Sequence, residues 1–171
     1  PAEDATLVDG VIAAKRTDVG TTNMGLAPEQ FANTNPNFDR VTFEVTDGYQ
    51  TIEPIDITVT IVGANNTTDY DGAEHTVTGY TATANSELYD VEEDFTFTPA
   101  EDATLVDGVI AAKRTDAGTT NMGLDSTQFT NNNANFNVTF NVEDGYQIIE
   151  RASLTVTADN KQKNYGMPDP T

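Results

Sequence analysis

Short runs in which apolar and polar residues alternate recur along the chain and predict β-strands. At residues 41–45 the side chains of Val41, Phe43 and Val45 share one face, and the same alternation returns at residues 138–142. An Asp-Gly pair and a second apolar run follow in both places, which predicts two β-hairpins. No amphipathic pattern of ten residues or more predicts a long helix.

Other segments add short strands and single turns. Residues 57–61 alternate in the same way, and residues 154–158 repeat that strand pattern. The sequence TLVDGVIAA, at residues 6–14, predicts two strands around an Asp-Gly turn. The sequences PEQF and LDSTQF each predict one helical turn, with Asp125 or Ser126 as the N-cap of the second.

These patterns together predict a mostly β fold. The expected fold has short antiparallel strands in a sandwich-like or two-layer repeat domain, with at most one short helical turn per unit. The units are arranged in tandem, because the chain repeats itself. Residues 1–38 match residues 99–136 without a gap, with 31 of 38 positions identical. After one inserted residue, residues 41–60 match residues 138–157 with 13 of 20 identical.

The repeat predicts three parts. Residues 1–54 are the C-terminal part of a preceding repeat, residues 55–152 are one complete repeat, and residues 153–171 start the next. We call these parts the half-repeat, the complete repeat and the C-terminal segment. The half-repeat lacks strands that would complete it. Three explanations are open at this stage. Another chain supplies the strands, the true repeat boundary lies elsewhere, or the sequence begins at an arbitrary position in the register of a filament.

The composition narrows the classes of partner. Twenty-eight acidic residues against eight basic residues give a formal charge of −20, which disfavours binding to nucleic acid or anionic lipid surfaces. The absence of cysteine excludes disulfides, thiolate nucleophiles and Cys-based metal sites. No apolar run approaches the roughly 20 residues of a membrane span, so direct membrane insertion is not expected. The sequence looks like an internal fragment, with any targeting or anchoring signal outside it.

Several short motifs resemble those of a known group. They are YDGAEHTVTGY, NMGL, NxNxNF, VTF-x-V-x-DG and LTVTADNKQKNYG. In these motifs the chain resembles the MBG-type and YDG-containing tandem repeats of bacterial surface proteins, which are often cell-wall-anchored adhesins. The resemblance implies a spacer or adhesive array outside the cell, on the bacterial surface. It carries over no catalytic residue.

Two groups of residues are candidates for metal binding. The acidic cluster Asp90, Glu92, Glu93 and Asp94 could bind calcium through its oxygens, although it lacks the spacing of an EF-hand loop. A solvated acidic face or hinge is the alternative, and we expect no bound metal or cofactor. His75 is the single histidine, and an exposed position at a strand edge is the expected role for it.

Lysine and tyrosine side chains offer two further hypotheses. Lys113, like its counterpart Lys15, lies between apolar residues, so an intramolecular isopeptide bond to Asn or Asp is one reading. A strand that displays Lys113 to solvent is the other. Tyr80, Tyr89 and Tyr146 could contribute to an exposed patch that binds a partner.

We expect a non-enzymatic protein, since no GxSxG, P-loop or dinucleotide-binding motif is present. The expected function is a structural stalk or spacer that projects an adhesive region from the cell. Its expected partners are adjacent repeats of the same protein or filament. The alternative is an adhesin module that binds a host glycan or protein and gains avidity from the array.

Overall fold

The computed structural model describes residues 5–8 and 12–170, which form a mostly β structure. The strands in these residues are β1 (Ala5–Leu7), β2 (Gly20–Asn23), β3 (Phe31–Asn33), β4 (Tyr49–Ile52), β5 (Ile55–Gly63), β6 (Asn65–Asp69), β7 (His75–Thr78), β8 (Tyr80–Ala84), β9 (Phe95–Phe97), β10 (Leu105–Val106), β11 (Val109–Arg114), β12 (Gly118–Asn121), β13 (Phe129–Asn131), β14 (Phe136–Glu143) and β15 (Tyr146–Glu150). Two 3₁₀ turns, Pro28–Gln30 and Ser126–Gln128, are the helical segments of the same residues. The predicted mostly β class, with one short helical turn per repeat, is confirmed.

The strands pair in several small sheets. The complete repeat contains the sheets β10-β11-β7, β12-β15-β6, β13-β9 and β14-β5-β8, and the half-repeat contains β1-β3 and β2-β4. Antiparallel pairs predominate, as predicted. The pair of β15 and β6 is parallel, with Tyr146 opposite Asn65 and Glu150 opposite Asp69. The two-layer arrangement stays a prediction.

The chain divides into two compact lobes. The first lobe contains the described residues up to Ile61, together with Ala82–Pro99 and Asp125–Glu143. The second lobe contains Val62–Thr81, Ala100–Leu124 and the described residues from Asp144 onward. This division does not follow the repeat boundaries that the sequence suggests at residues 54/55 and 152/153, which remain a prediction about repeats.

The core of the first lobe forms around β5 and a group of aromatic rings. Alternate side chains of β5, those of Ile57, Val59 and Ile61, are at most 5% exposed, as the period of two predicts. The Phe95 ring lies 5.8 Å from that of Phe129, edge to face. Burial of side chains of this size stabilises the fold by about 1.5–3 kcal/mol each.

The core of the second lobe is formed by β11, β12, β15 and the loop that follows β12. Its buried side chains are those of Ile110, Ala111, Ala112, Met122, Leu124, Gln147 and Ile149. Gln147 is fully buried, and its Oε1 atom accepts a hydrogen bond from Asn66 Nδ2 at 3.2 Å. A buried amide of this kind is tolerated because its polar atoms have partners.

The turn predictions hold where the structure describes them. Asp107 and Gly108 both have positive φ, 51° and 83°, and they join β10 to β11 in an antiparallel hairpin, which is the backbone that a type I′ Asp-Gly turn requires. The same turn of the half-repeat lies partly outside the described residues. Asp125 is the N-cap of the second 3₁₀ turn, and its side chain accepts from Thr127 N.

The predicted hairpin of residues 138–150 is wrong in its pairing. Both strands form, as β14 and β15, on either side of Asp144-Gly145. However, β14 pairs with β5, whereas β15 pairs with β12 and β6. The Asp-Gly pair is therefore a connection between two sheets, and Asp144 binds the loop after β12 instead of closing a hairpin.

Two strand predictions fail outside the complete repeat. Residues 41–45 have the pattern of β14 but form no strand, and residues 154–158 have the pattern of β5 but form none. Leu154 and Val156 are 90% and 85% exposed. In the complete repeat these two patterns pair with each other, and neither incomplete part contains both of them.

Candidate functional site

An asparagine-rich loop between β13 and β14 holds itself in a fixed shape. Asn131 Oδ1 accepts from Asn133 N at 3.1 Å, and Asn133 Oδ1 accepts from Asn135 N at 3.0 Å. Asn131 Nδ2 also donates to Phe136 O at 2.9 Å. These are successive Asx turns, in which a side chain satisfies a backbone group two residues on. The third asparagine of the NxNxNF motif is thereby fixed at the edge of the loop.

Asn135 joins the complete repeat to the half-repeat within the first lobe. Its Oδ1 atom accepts from Val19 N at 2.7 Å, and its Nδ2 atom donates to Asp18 Oδ1 at 3.1 Å. Its backbone carbonyl accepts from Ile55 N at 3.0 Å, at the start of β5. A single residue thus contacts the loop of one repeat and the first strand of the next, and we call this site the junction.

A groove of about 310 Å³ lies at the junction. Its apolar lining comes from the half-repeat through Val19 and Ile52, and from the complete repeat through Ile55, Leu88 and Phe136. Leu88 is 73% exposed, whereas Phe136 is 6% exposed. The groove therefore has an apolar floor and an open rim, and charged groups from Asp18 and Glu53 also line it.

An arginine on the half-repeat side shapes the loop that Asn135 binds. Arg16 Nε donates to Asp18 O at 2.7 Å, and its guanidinium also donates to Val19 O. Gly20 follows with a φ of 129°, and a Cβ atom there would collide with the guanidinium of Arg16. Glycine is therefore required at this close approach.

The same arginine clamp recurs in the second lobe. Arg114 Nη2 donates to Ala117 O at 2.9 Å, and Arg114 Nη1 donates to Thr119 O at 3.1 Å. Gly118, with a φ of 136°, occupies the place of Gly20. Sequence reasoning did not find this role for the arginines. The signal was the run RTD-x-G, which both repeats contain, since an arginine four residues before a glycine can enclose the intervening loop.

The half-repeat contains the same asparagine loop, but the third asparagine of the loop makes a different hydrogen bond. Asn33 Oδ1 accepts from Asn35 N at 3.0 Å, which matches the turn at Asn131. Asn37 is the counterpart of Asn135, and its Nδ2 atom donates back to Asn35 Oδ1 at 3.0 Å. The side chain that joins two repeats in one place is folded onto its own loop in the other.

The acidic cluster at residues 90–94 forms a turn stabilised by its own carboxylates. Asp90 Oδ1 accepts from Glu92 N at 2.8 Å, and Asp94 Oδ2 accepts from Asp90 N at 2.9 Å. Asp94 Oδ1 accepts from Asn133 Nδ2 at 3.0 Å, which connects the turn to the asparagine loop. Across residues 5–8 and 12–170, no three His, Asp or Glu side chains are arranged to hold a metal ion.

His75 and Lys113 both lie in the sheet β10-β11-β7. His75 Nε2 is 3.0 Å from Asp71 Oδ1. A backbone hydrogen bond from Ala73, followed by the one from His75, lowers the pKa of Asp71. Lys113 is exposed on β11, and its Nζ atom lies 3.6 Å from Glu74 Oε1. Strand β11 thus displays Lys113 to solvent, in an ion pair, which is the second of the two hypotheses for this residue. The isopeptide bond stays a prediction.

The three tyrosines proposed for a binding patch have different environments. Tyr89 is 5% exposed in the first lobe, edge to face with Phe136 at 5.3 Å, and its hydroxyl lies 3.1 Å from Asn131 Oδ1. Burial raises its pKa, and the nearby charge of Asp94 raises it further. Tyr80 and Tyr146 are half-buried in the second lobe. Tyr89 is therefore a core residue that supports the asparagine loop.

Comparisons with models of protein families, with curated proteins and with solved structures found no match to this chain. In the part of the chain that the structure describes, no helix has both the length and the apolar character to cross a membrane.

Proposed function

We propose that this chain is part of a structural stalk or spacer array of an extracellular bacterial surface protein. The array projects an adhesive region away from the cell, and it works without catalysis. The observation that carries the proposal is the junction, where Asn135 binds the backbone and side chain of the preceding repeat. A spacer needs such a contact, because its length depends on how each repeat is held by its neighbour.

The origin of the two junction partners supports this reading. Asp18 belongs to a segment that the chain repeats at Asp116, and Asn135 belongs to a loop that it repeats at Asn37. Each repeat therefore contains the sequence of both halves of the junction. Units that contain both halves can be added in series without any change to their sequence.

The charge of the chain suits an array of this kind. A formal charge of −20 keeps neighbouring molecules apart and the surface hydrated. Neutral amide contacts, such as that of Asn135 Oδ1 with Val19 N, join the repeats without placing two carboxylates together. The array can thus be strongly acidic and still have close contacts between its units.

The proposal is tested by the length of longer arrays. Proteins with increasing numbers of repeats are made, and small-angle scattering gives their maximum dimension. We expect a linear increase with repeat number. Replacement Asn135→Ala at every junction should shorten the mean dimension, because the repeats then reorient. Asn132→Ala is the matched control, since Asn132 lies in the same loop and donates to Thr96 of its own repeat. Its dimension should stay at that of the unmodified array.

The same proteins distinguish the alternative function. A binding module would retain host glycans or matrix proteins, with apparent affinity that rises steeply with repeat number. Such retention, together with a dimension that does not increase linearly, would overturn the spacer and favour the adhesin module.

A further inference from the structure

The strands at which the chain enters and leaves the complete repeat are both middle strands of their sheets. The chain enters through β5, which lies between β14 and β8, and it leaves through β15, which lies between β12 and β6. Residues 1–54 precede β5, and residues 151–171 follow β15. In an array of repeats, tension along the chain therefore reaches the complete repeat at the start of β5 and at the end of β15.

Strand β6 continues the entry segment into the second lobe, where it lies along the exit strand. Ala64 alone separates β5 from β6. Strand β6 pairs with β15 in parallel, through five consecutive residue pairs. Hydrogen bonds extend this pairing at both ends, since Tyr146 N donates to Ala64 O at 3.2 Å and Tyr70 N donates to Glu150 O at 2.9 Å. We call residues 64–70 and 146–150 the parallel ladder.

The common direction of the two strands decides how tension acts on the parallel ladder. Tension that arrives through β5 pulls β6 toward its N-terminal end, and tension from the following repeat pulls β15 toward its C-terminal end. Since the strands run in the same direction, the two pulls are opposite and act along the strands. The evenly spaced bonds of a parallel pair then share the load. In an antiparallel pair the two loaded ends would lie side by side, and the bonds would break one after another.

The exit strand is also held on its other edge and shielded from water. Strand β15 pairs with β12 through four residue pairs. Its side chains Gln147 and Ile149 are 0% and 2% exposed, and Gln147 Oε1 accepts a hydrogen bond from Asn66 Nδ2 of β6 at 3.2 Å. Exclusion of water strengthens hydrogen bonds that water would otherwise replace. A slip of β15 by one residue would turn its buried face outward.

The entry strand is held in a comparable way in the first lobe. Ile55 N donates to Asn135 O at 3.0 Å, where β5 begins. Asn137 Nδ2 of β14 donates to Asp56 Oδ1 of β5 at 2.9 Å, and alternate side chains of β5 are buried in the core. Tension on the complete repeat therefore acts on a buried middle strand in each lobe.

We propose that the parallel ladder is a mechanical clamp, which resists unfolding of the complete repeat when the array is pulled along its length. The inference rests on the proposed stalk function, because an array under tension is what uses such a clamp. It deepens that function, since contacts between repeats set the length of the array, whereas the clamp sets the tension that one repeat bears. Forced unfolding is governed by the rate of unfolding, so the direction of pulling matters as well as the stability.

The first test pulls the same two strands in two directions in a single-molecule force measurement on the full chain. The chain has no cysteine, so two introduced cysteines define the attachment points. The pair Asn65→Cys and Ala152→Cys loads the parallel ladder along its strands. The pair Ala73→Cys and Ala152→Cys peels the ladder open from one end. Residues 65, 73 and 152 are exposed, so both proteins should keep the unmodified fold.

We expect a several-fold higher unfolding force along the strands than in the peeling direction, at the same pulling rate. The two proteins contain the same ladder, so a difference in force reports the direction of loading and not a difference in stability. Equal forces in the two directions, or a higher force in the peeling direction, would overturn the clamp.

A second pair of variants tests whether the resistance comes from the parallel ladder. Tyr70→Pro removes the amide that donates to Glu150 O, whereas Tyr70→Ala removes the same side chain and keeps that amide. Pulled between residues 65 and 152, the proline variant should unfold at a lower force than the alanine variant. Circular dichroism checks that both variants fold. Equal forces would overturn the assignment of the clamp to β6 and β15.

These forces are separate from the array lengths that test the stalk. Arrays whose maximum dimension does not increase with repeat number would overturn the stalk, even if the two pulling directions differ. Equal forces in the two directions, measured on a repeat whose arrays lengthen linearly, would overturn the clamp alone.

Discussion

Residues 41–45 and residues 138–142 share the sequence Val-Thr-Phe-x-Val but differ in structure. The second segment is part of β14, paired with β5, and the first forms no strand. The local pattern and the preceding loop are nearly the same in both places. What differs is the partner, because no counterpart of β5 precedes residues 41–45 in this sequence. Alternation thus specifies which face of a strand is apolar, whereas a distant partner decides whether the strand forms.

Segments whose partners lie nearby behave in the opposite way. The pair β2–β4 has Gly20 opposite Ile52, and the pair β12–β15 has Gly118 opposite Ile149, which is the same register. Both pairs form because each lies within residues that the half-repeat and the complete repeat share. Some strands of the repeat therefore form with partners inside the same half of the repeat, whereas others form only when a distant segment is present.

The largest change in the free energy of unfolding is expected in β5, whose alternate side chains are buried, whereas those of its second copy at residues 154–158 are exposed. Val59 is 0% exposed, so Val59→Asp buries a carboxylate in the core of the first lobe and should lower the free energy of unfolding by more than about 4 kcal/mol. Val156→Asp, at a position 85% exposed, should change it by less than about 0.5 kcal/mol. Urea unfolding at low protein concentration measures both. Equal losses would mean that residues 154–158 pack in solution as β5 does.

A second comparison concerns one aromatic position before β14. Phe136 is 6% exposed and contacts Tyr89, so Phe136→Ala should cost about 3–5 kcal/mol. Phe38 is 56% exposed, and Phe38→Ala should cost less than about 1 kcal/mol. The measurement is thermal unfolding followed by circular dichroism. A large loss at Phe38 would show that this ring is packed in solution as Phe136 is.

A third comparison, between Asp47 and Asp144, should give equal losses of stability in the two repeats, because both contacts are local. Asp47 accepts from Leu26 N at 2.9 Å, and Asp144 accepts from Leu124 N at 2.8 Å. Removal of either carboxylate leaves amides without their acceptor and should cost about 1–3 kcal/mol. Hydrogen exchange at the amides of Leu26 and Leu124 should accelerate by a similar factor in Asp47→Ala and Asp144→Ala. Unequal factors would mean that this contact also depends on distant strands.

The sequence predicted the features that neighbouring residues determine. The strand β5, the Asp107-Gly108 turn and the Asp125 cap all follow from patterns within about ten residues, and each is confirmed. The pairing of β14 with β5 was missed, because an Asp-Gly pair between two apolar runs is also the signature of a hairpin. Long-range pairing brings together segments about 80 residues apart, and no local pattern specifies which segments meet.

The junction could be predicted only in part for the same reason. The NxNxNF motif indicated a loop, and the loop is present with its internal hydrogen bonds. That its last asparagine reaches Asp18 could not be read from the motif, because the two residues are more than a hundred positions apart. The contrast between Asn135 and Asn37 appears only when both repeats are placed in three dimensions.

The smallest effect is expected at the N-cap of the 3₁₀ turn, where the two repeats differ in sequence. Asp125 accepts from Thr127 N at 2.9 Å, and the half-repeat has Ala27 at this position. Asp125→Ala should therefore destabilise the protein slightly, and Ala27→Asp should stabilise it slightly, because each changes one cap. Both changes should be smaller than those expected at Asp47 and Asp144.

The pH dependence of this stability difference tests whether the charged Asp125 cap causes it. The backbone hydrogen bond from Thr127, and then its side-chain hydrogen bond, lower the pKa of Asp125 below its ordinary value of 3.8. A carboxyl whose pKa is lowered by folding stabilises the protein above its unfolded-state pKa, and this contribution is lost as the pH falls through the folded-state value. The difference in unfolding free energy between the unmodified protein and Asp125→Ala should therefore be constant from neutral pH to about pH 5 and decrease below about pH 4. A difference that persists unchanged in acid would assign the effect to helix propensity instead of the charged cap.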